Sequence, residues 1–294
     1  MGTSPHKDGE LAPASLVTGS FSDFDRETVI QALESGDKVV ATLRKPSSLA
    51  GLAHEYPADR LRVIQLDITK TAEIDAAFAH ARAACGCADV VFKTAGYVAA
   101  GENEAFPDDV ARPLFEDNFW GAARLFREEN TPQGGLLLRN SAMVGRVCLP
   151  FDSAPRRSMR LRALGESLAQ ELNPAWNTKV AIIEPGAFKT YVFNLDTNMV
   201  MIPPHPAYAN PALPAHTFSG AFLKGAGQGA NTPADLAPSD ASLALAKIID
   251  FSRVAEPPLR FPLGKDSIGL IREKLRVLTE GIDWCESWSD KLGK

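Results

Sequence analysis

Short apolar runs alternate with amphipathic stretches along most of the chain. "ASLVTG" (14–19), "KVVATL" (38–43), "LRVIQLD" (61–67), "DVVFKTAG" (89–96), "GGLLLRNSA" (134–142), "KVAIIEPG" (179–186) and "PLRFPLG" (258–264) are apolar runs, most of them ending in turn residues. That is the pattern of strands buried on both faces of a sheet. Between them, residues 25–37 carry Val29, Ile30 and Leu33 on a helical stripe closed by Gly36. Further helices are expected over 73–85, 109–128, 158–172 and 233–251, and a last one over 266–290 with Ile268, Leu270, Ile271 and Leu275 in its stripe. Strand and helix alternating in this way predict an α/β domain over 14–294, a doubly wound parallel sheet of about seven strands with helices on both faces.

Two segments depart from that rhythm. Residues 1–13 are polar and read as a flexible N-terminal arm, and residues 190–235 hold Pro203, Pro204, Pro206, Pro211, Pro214 and Pro233. A long Pro-rich stretch inside a compact domain predicts a lid over the site.

Composition narrows the function classes. The chain has 294 residues, 45% hydrophobic and 23% charged, with net charge −5 and pI about 5.6. Basic residues are not in excess, so no nucleic-acid partner is expected. No apolar run approaches the roughly 20 residues of a membrane span, and the first residues lack the apolar stretch of a signal peptide. Four cysteines suit a reducing, cytoplasmic setting. Cys85 and Cys87 read as small residues at a helix end, and no metal site is expected.

Several landmarks then fall in order: Thr18-Gly19 after the first strand, Asp67 after the third, Ala95-Gly96 after the fourth, Asn118 in the helix that follows, and Pro185-Gly186 with Thr190 after the sixth. In this order they resemble the short-chain dehydrogenase/reductase family across about residues 14–284, a Rossmann-like fold. "IIEPGAFKT" and "EPPLRFPLG" look like its 17β-hydroxysteroid-dehydrogenase-like branch. The resemblance implies a dinucleotide cleft lined by Gly19, Arg44, Asp67 and Lys93, with Arg44 and Lys45 where NADP-preferring members hold the 2′-phosphate.

The chain also departs from the family pattern. Its phosphate loop, "TGSFSDFD", puts Asp23 and Asp25 where the family has its second and third glycines. A carboxylate facing a pyrophosphate in a partly dry cleft costs on the order of kcal/mol, so the expectation is no bound cofactor, or NADP held weakly. Lys93 and Thr94 replace the two asparagines of the family's N-N-A-G. Lys93 reads equally as a cation balancing Asp23 or Asp25, as a catalytic amine, or as a lysine snorkelling from a strand end. Ala142 stands at the catalytic serine, with Ser141 just ahead, and Ala154 and Ser158 stand at the tyrosine and lysine. No tyrosine or lysine occurs between Tyr97 and Lys179, so no shift of register restores the pair.

The remaining polar groups near the pocket are Tyr97, Ser141, Asp152, Tyr191 and the arginines 156, 157, 160 and 162, with Asn118 surviving from the catalytic set. Arg157 lies three residues beyond Ala154 and shares its helical face. With Asp152 it forms the candidate pair for binding or turning over an anionic or enolisable carbonyl compound. His205 and His216 lie on the expected lid, as a candidate base or as exposed loop histidines. The leading expectation is a non-redox small-molecule enzyme, an isomerase, cyclase or dehydratase of secondary metabolism. The alternatives are an NADP-dependent oxidoreductase with unusual acids, and a non-catalytic binding or partner subunit, with any homodimer or heterodimer formed through helices 109–128 and 158–172.

Overall fold

The computed structural model describes residues 12–21, 23–94, 96–129, 134–141, 154–188, 199–208, 210, 212–213 and 240–290. Side chains at 23, 126–129 and 154–162 are outside that description. The elements in chain order are β1 (Ala14–Thr18), α1 (Asp23–Glu34), β2 (Lys38–Leu43), α2 (Ala50–Glu55), β3 (Leu61–Gln65), α3 (Thr71–Cys85), β4 (Val90–Lys93), β5 (Val98–Ala100), α4 (Asp108–Phe115), α5 (Gly121–Glu129), β6 (Gly135–Asn140), α6 (Ala154–Glu171), β7 (Thr178–Pro185), β8 (Met199–Met201), α7 (Ala241–Ser252), β9 (Arg260–Leu263) and α8 (Lys265–Cys285). Seven of the strands form one sheet in the order β3-β2-β1-β4-β6-β7-β9. Every pairing in it is parallel. The order reverses between β1 and β4, the crevice where such sheets bind ligands.

Alternation along the buried strands divides the core. Val17, Val39, Ala41, Phe92, Leu138 and Ile183 face one side, under Val29 and Leu33 of α1 and Leu245, Ile248 and Ile249 of α7. Leu16, Val40, Val91, Leu137 and Val180 face the other, under Ile74 and Phe78 of α3 and Leu125 of α5, with Leu164 and Leu168 of α6 packed against them.

All seven strands expected from the apolar runs are present. The chain adds elements that the pattern does not reveal. α2 buries only Leu52 and so has almost no stripe. β5 and β8 form a separate parallel pair, Val98 to Met199 through Ala100 to Met201. The helix expected over 109–128 divides into α4, a π turn at Glu116–Trp120 and α5. Pro113 inside α4 has no N–H to donate, and the backbone widens just beyond it. α6 begins at Ala154, ahead of the expected 158, and α7 begins at Ala241 instead of 233. Most of the expected lid, at 190–198, 209, 211 and 214–235, lies outside the described residues, as does the N-terminal arm through residue 11.

Candidate functional site

The site is assembled from the loops at the carboxyl ends of β1, β2, β3, β4 and β6. Gly19 turns the chain out of β1 with φ 79°, a conformation that favours glycine. The turn is pinned to β2, since Gly19 N donates to Thr42 O at 2.8 Å and Ser20 N to the same oxygen at 3.0 Å. Thr94 Oγ1 donates to Thr18 O at 2.5 Å and ties the end of β4 to the end of β1. Lys93 lies directly across from Thr18 in the sheet register.

Burial bears on two sequence readings here. Lys93 is only 4% exposed, so it does not snorkel into solvent. Asp25 is 8% exposed, and both residues are engaged by partners. Asp25 therefore exposes little of its surface. The Asp23 side chain lies outside the described residues.

At the neighbouring loops, Arg44, Asp67, Lys93 and Asp117 share one electrostatic neighbourhood. Partial burial raises the Asp67 carboxyl, but hydrogen bonds from the Thr69 hydroxyl (2.7 Å) and the Thr69 N–H (3.0 Å), with the charges of Lys70 and Arg44, bring it below its usual value. Asp117 is pushed the other way. Burial raises it, Arg44 and Lys93 pull it down, Asp67 and Glu116 push it up, and the sum is upward. Arg44 itself is exposed at the end of β2. Gly19, Arg44, Asp67 and Lys93 thus gather at one edge, as the sequence suggested. Asp117 was not foreseen, because an acid inside an expected amphipathic helix reads as a solvated face.

Asn118 is fully buried in the π turn. Its Nδ2 donates to Tyr97 O at 3.0 Å, and its Oδ1 accepts from Tyr97 N at 3.2 Å. The amide therefore closes a two-point clamp on the main chain of Tyr97, which is half-buried just past Gly96. Gly121 lets α5 approach the loop after β3, since a Cβ there would meet Ile68 Cγ1 at 2.8 Å.

Ser141 follows β6, half-buried, with its N–H bonded to Ile183 O at 2.9 Å. The positions after it through 153, including Ala142 and Asp152, lie outside the described residues. Arg157 falls in the first turns of α6 by backbone position, but its side chain is outside the description, and so are Thr190, Tyr191 and His216. Beyond β7, Asp266 Oδ2 accepts the Ala187 N–H at 2.7 Å, and a Cβ on Gly186 would overlap Asp266 Oδ1. A glycine is required there for the loop to lie against Asp266.

The β5–β8 pair adds a rim that the sequence did not show. Glu102 is 4% exposed, and its Oε2 accepts the His205 N–H at 3.4 Å. His205 is half-buried, and its Nδ1 accepts from Ala207 N at 3.2 Å. Away from this edge, the Cys85 and Cys87 thiols are both raised, chiefly by burial, so they stay protonated as packing residues at the end of α3.

A parallel sheet of this order, with a charged cleft at its switch point and a buried asparagine beside it, defines a dinucleotide-fold protein of the dehydrogenase type. Residues 14–199 match the short chain dehydrogenase family, and the chain belongs to that family. It is similar to the oxidoreductase calM of Penicillium decumbens, 31% identical over 281 residues that cover 91% of this chain and 89% of that protein. An uncharacterised oxidoreductase of Schizosaccharomyces pombe is 27% identical over 95% of this chain and 91% of its own length. Among solved structures, a short-chain dehydrogenase from Streptomyces avermitilis superposes with a TM-score of 0.81 at 30% identity, covering 96% of this chain and 98% of that one.

The family implies a nicotinamide dinucleotide, and Gly19, Arg44, Asp67 and Lys93 are the described residues that would hold one. Asp67 and Arg44 suit the adenosine end, with Arg44 exposed to meet an anion. Gly19 provides an open turn, and the buried Lys93 sets a positive charge beneath the cleft.

Proposed function

We propose that the protein is an oxidoreductase acting with NADP(H) on a hydrophobic alcohol or ketone. The observation that carries this reading is the withdrawal of Asp25 into a buried, engaged position, with Lys93 buried at the same edge, which leaves Arg44 as an exposed cation at the adenosine end. Relatives similar along nearly the whole chain bear oxidoreductase names and support it. The likeness of "IIEPGAFKT" to 17β-hydroxysteroid-dehydrogenase-like members supports a hydrophobic substrate.

Bound in this cleft, the nicotinamide would donate or accept the hydride. The chain must supply the proton from a group other than the family's tyrosine. Tyr97 offers a phenol at this edge, and its backbone is fixed by Asn118. Ser141 offers a second hydroxyl at the end of β6. Ser158 stands at the family's lysine position, so turnover is slow.

A second reading is a non-redox catalyst in the same pocket, with Asp152 and Arg157 as its polar groups. Ala154 and Ser158 at the tyrosine and lysine positions favour it. Calorimetric titration with NADPH and NADH separates the two. The oxidoreductase reading expects NADPH to bind at about micromolar Kd and more tightly than NADH. Absence of binding at millimolar cofactor moves the assignment to the non-redox reading.

A further inference from the structure

The end of β7 is tied to the start of α8. Gly186 N donates to Leu263 O at 2.8 Å. Ser267, fully buried in the first turn of α8, donates from its hydroxyl to Glu184 O at 2.7 Å. Asp266, one residue earlier, reaches the loop itself: its Oδ2 accepts the Ala187 N–H at 2.7 Å. Phe188 then packs against the core cluster beneath α1 and α7. The sheet register ends at Pro185 and Leu263, so the Ala187 N–H takes its acceptor from a side chain instead of a neighbouring strand.

The sequence makes room for that side chain. A Cβ on Gly186 or on Gly264 would overlap Asp266 Oδ1. Gly264 has φ 105°, which favours glycine on its own account, but Gly186 has no positive φ. Space for the Asp266 carboxylate is therefore what requires glycine at 186. An acid in the first turn of a helix is also stabilised by the dipole, and a carboxylate is a stronger acceptor than a neutral oxygen. Asp266 is thus held by α8 while it holds the loop.

The place of this loop in the sheet gives the contact a use. Arg44 and Asp67 follow β2 and β3, on one side of the switch between β1 and β4, and suit an adenosine. β6 and β7 lie on the other side. A dinucleotide spans such a crevice with one mononucleotide half on each side. Its second half therefore falls to the loops that leave β6 and β7, and on the oxidoreductase assignment that half is the nicotinamide.

We propose that Asp266 is a positioning residue for the nicotinamide half of the cofactor, acting through the main chain at 186–188; this rests on the oxidoreductase assignment. Asp266 has no need to touch the cofactor. It orders the loop in advance, so the ordering cost is not charged to binding. The adenosine end, held by the loops after β2 and β3, is independent of it.

The test titrates the full-length chain calorimetrically with NADPH and with 2′,5′-ADP, which carries the adenosine end alone. Asp266→Ala is expected to weaken NADPH binding at least about tenfold, the scale of one hydrogen bond to a charged group. Its dissociation constant for 2′,5′-ADP is expected to stay within about twofold of the native value, as for independent sites. Asp266→Asn, whose side-chain oxygen accepts the same N–H, is expected to restore most of the NADPH affinity. Hydrogen exchange in the unsubstituted chain gives a second readout that needs no variant to fold: NADPH slows exchange at the 186–188 amides, and 2′,5′-ADP leaves it unchanged. Equal losses for both ligands in Asp266→Ala mark a merely structural role and overturn the proposal. So do undiminished NADPH binding, an Asn variant as weak as the Ala variant, or equal exchange with the two ligands; all of these leave the oxidoreductase assignment standing. A native chain that binds neither ligand overturns that assignment, and the proposal with it.

Discussion

Replacing Asn118 by Asp tests how the site is held, because the two side chains have nearly the same shape. In the native chain the amide donates to Tyr97 O at 3.0 Å and accepts from Tyr97 N at 3.2 Å. An aspartate keeps the acceptor and loses the donor, so a carboxylate oxygen would face a carbonyl oxygen in a fully buried position. The lost hydrogen bond costs about 1 kcal/mol and the uncompensated buried charge a few more, giving about 3 kcal/mol of destabilisation at pH 7. Protonation restores the donor, so the new carboxyl holds its proton more tightly in the folded chain than in the unfolded one. Above about pH 4 the folded state then holds more protons than the unfolded one. The stability difference from wild type therefore grows with pH through that window and levels off once the folded carboxyl has ionised. Urea denaturation of both proteins between about pH 4.5 and 8 measures it. An Asn118→Ala variant provides the control, since it loses both bonds without adding charge, and its deficit should be flat with pH. Equal stabilities for Asn118→Asp and wild type at pH 7, or a deficit independent of pH, would refute the clamp.

Other consequences follow from the same geometry. Asp117 is raised mainly by burial, so it favours the folded state while protonated and its contribution is lost as pH rises from its ordinary value through its folded one; Asp117→Asn should abolish that slope in urea titrations and tighten NADPH binding severalfold. Glu184 is 1% exposed and accepts from Arg260 Nη1 at 2.8 Å, and Arg260 also pairs with Glu166 of α6; Glu184→Ala should cost about 3 kcal/mol in chemical denaturation, and a loss below about 1 would contradict a role in seating α6. Gly186→Ala drives a methyl into the Asp266 carboxylate and should lower the melting temperature, with Asp266→Ala relieving much of the added penalty in the double variant.

The strands were legible because burial on both faces leaves long apolar runs, and all seven main-sheet strands lie where those runs do. The β5–β8 pair was not, because each strand has three residues and the partners are about 100 positions apart, too short and too distant for periodicity to report. The π turn was hidden inside a continuous amphipathic pattern, although Pro113 was the available signal. At the site, motif order pointed to Gly19, Arg44, Asp67, Lys93 and Asn118, which the fold gathers at one edge. It could not reveal the burial of Asp25 and Lys93, since residue type gives the charge but not its exposure. Nor could it reveal that Leu275 and Ile282 are exposed, because an apolar stripe on a helix does not say which of its turns dock.

The proposed hydride chemistry is tested most directly with 4-deuterated NADPH, taken in turn on each face of the ring, incubated at high enzyme concentration with a panel of hydrophobic ketones and read by mass spectrometry. One of the two labelled forms should give an alcohol one mass unit heavier, reduced at least about tenfold in Tyr97→Phe. Saturable NADPH binding with no deuterium in any product would contradict it.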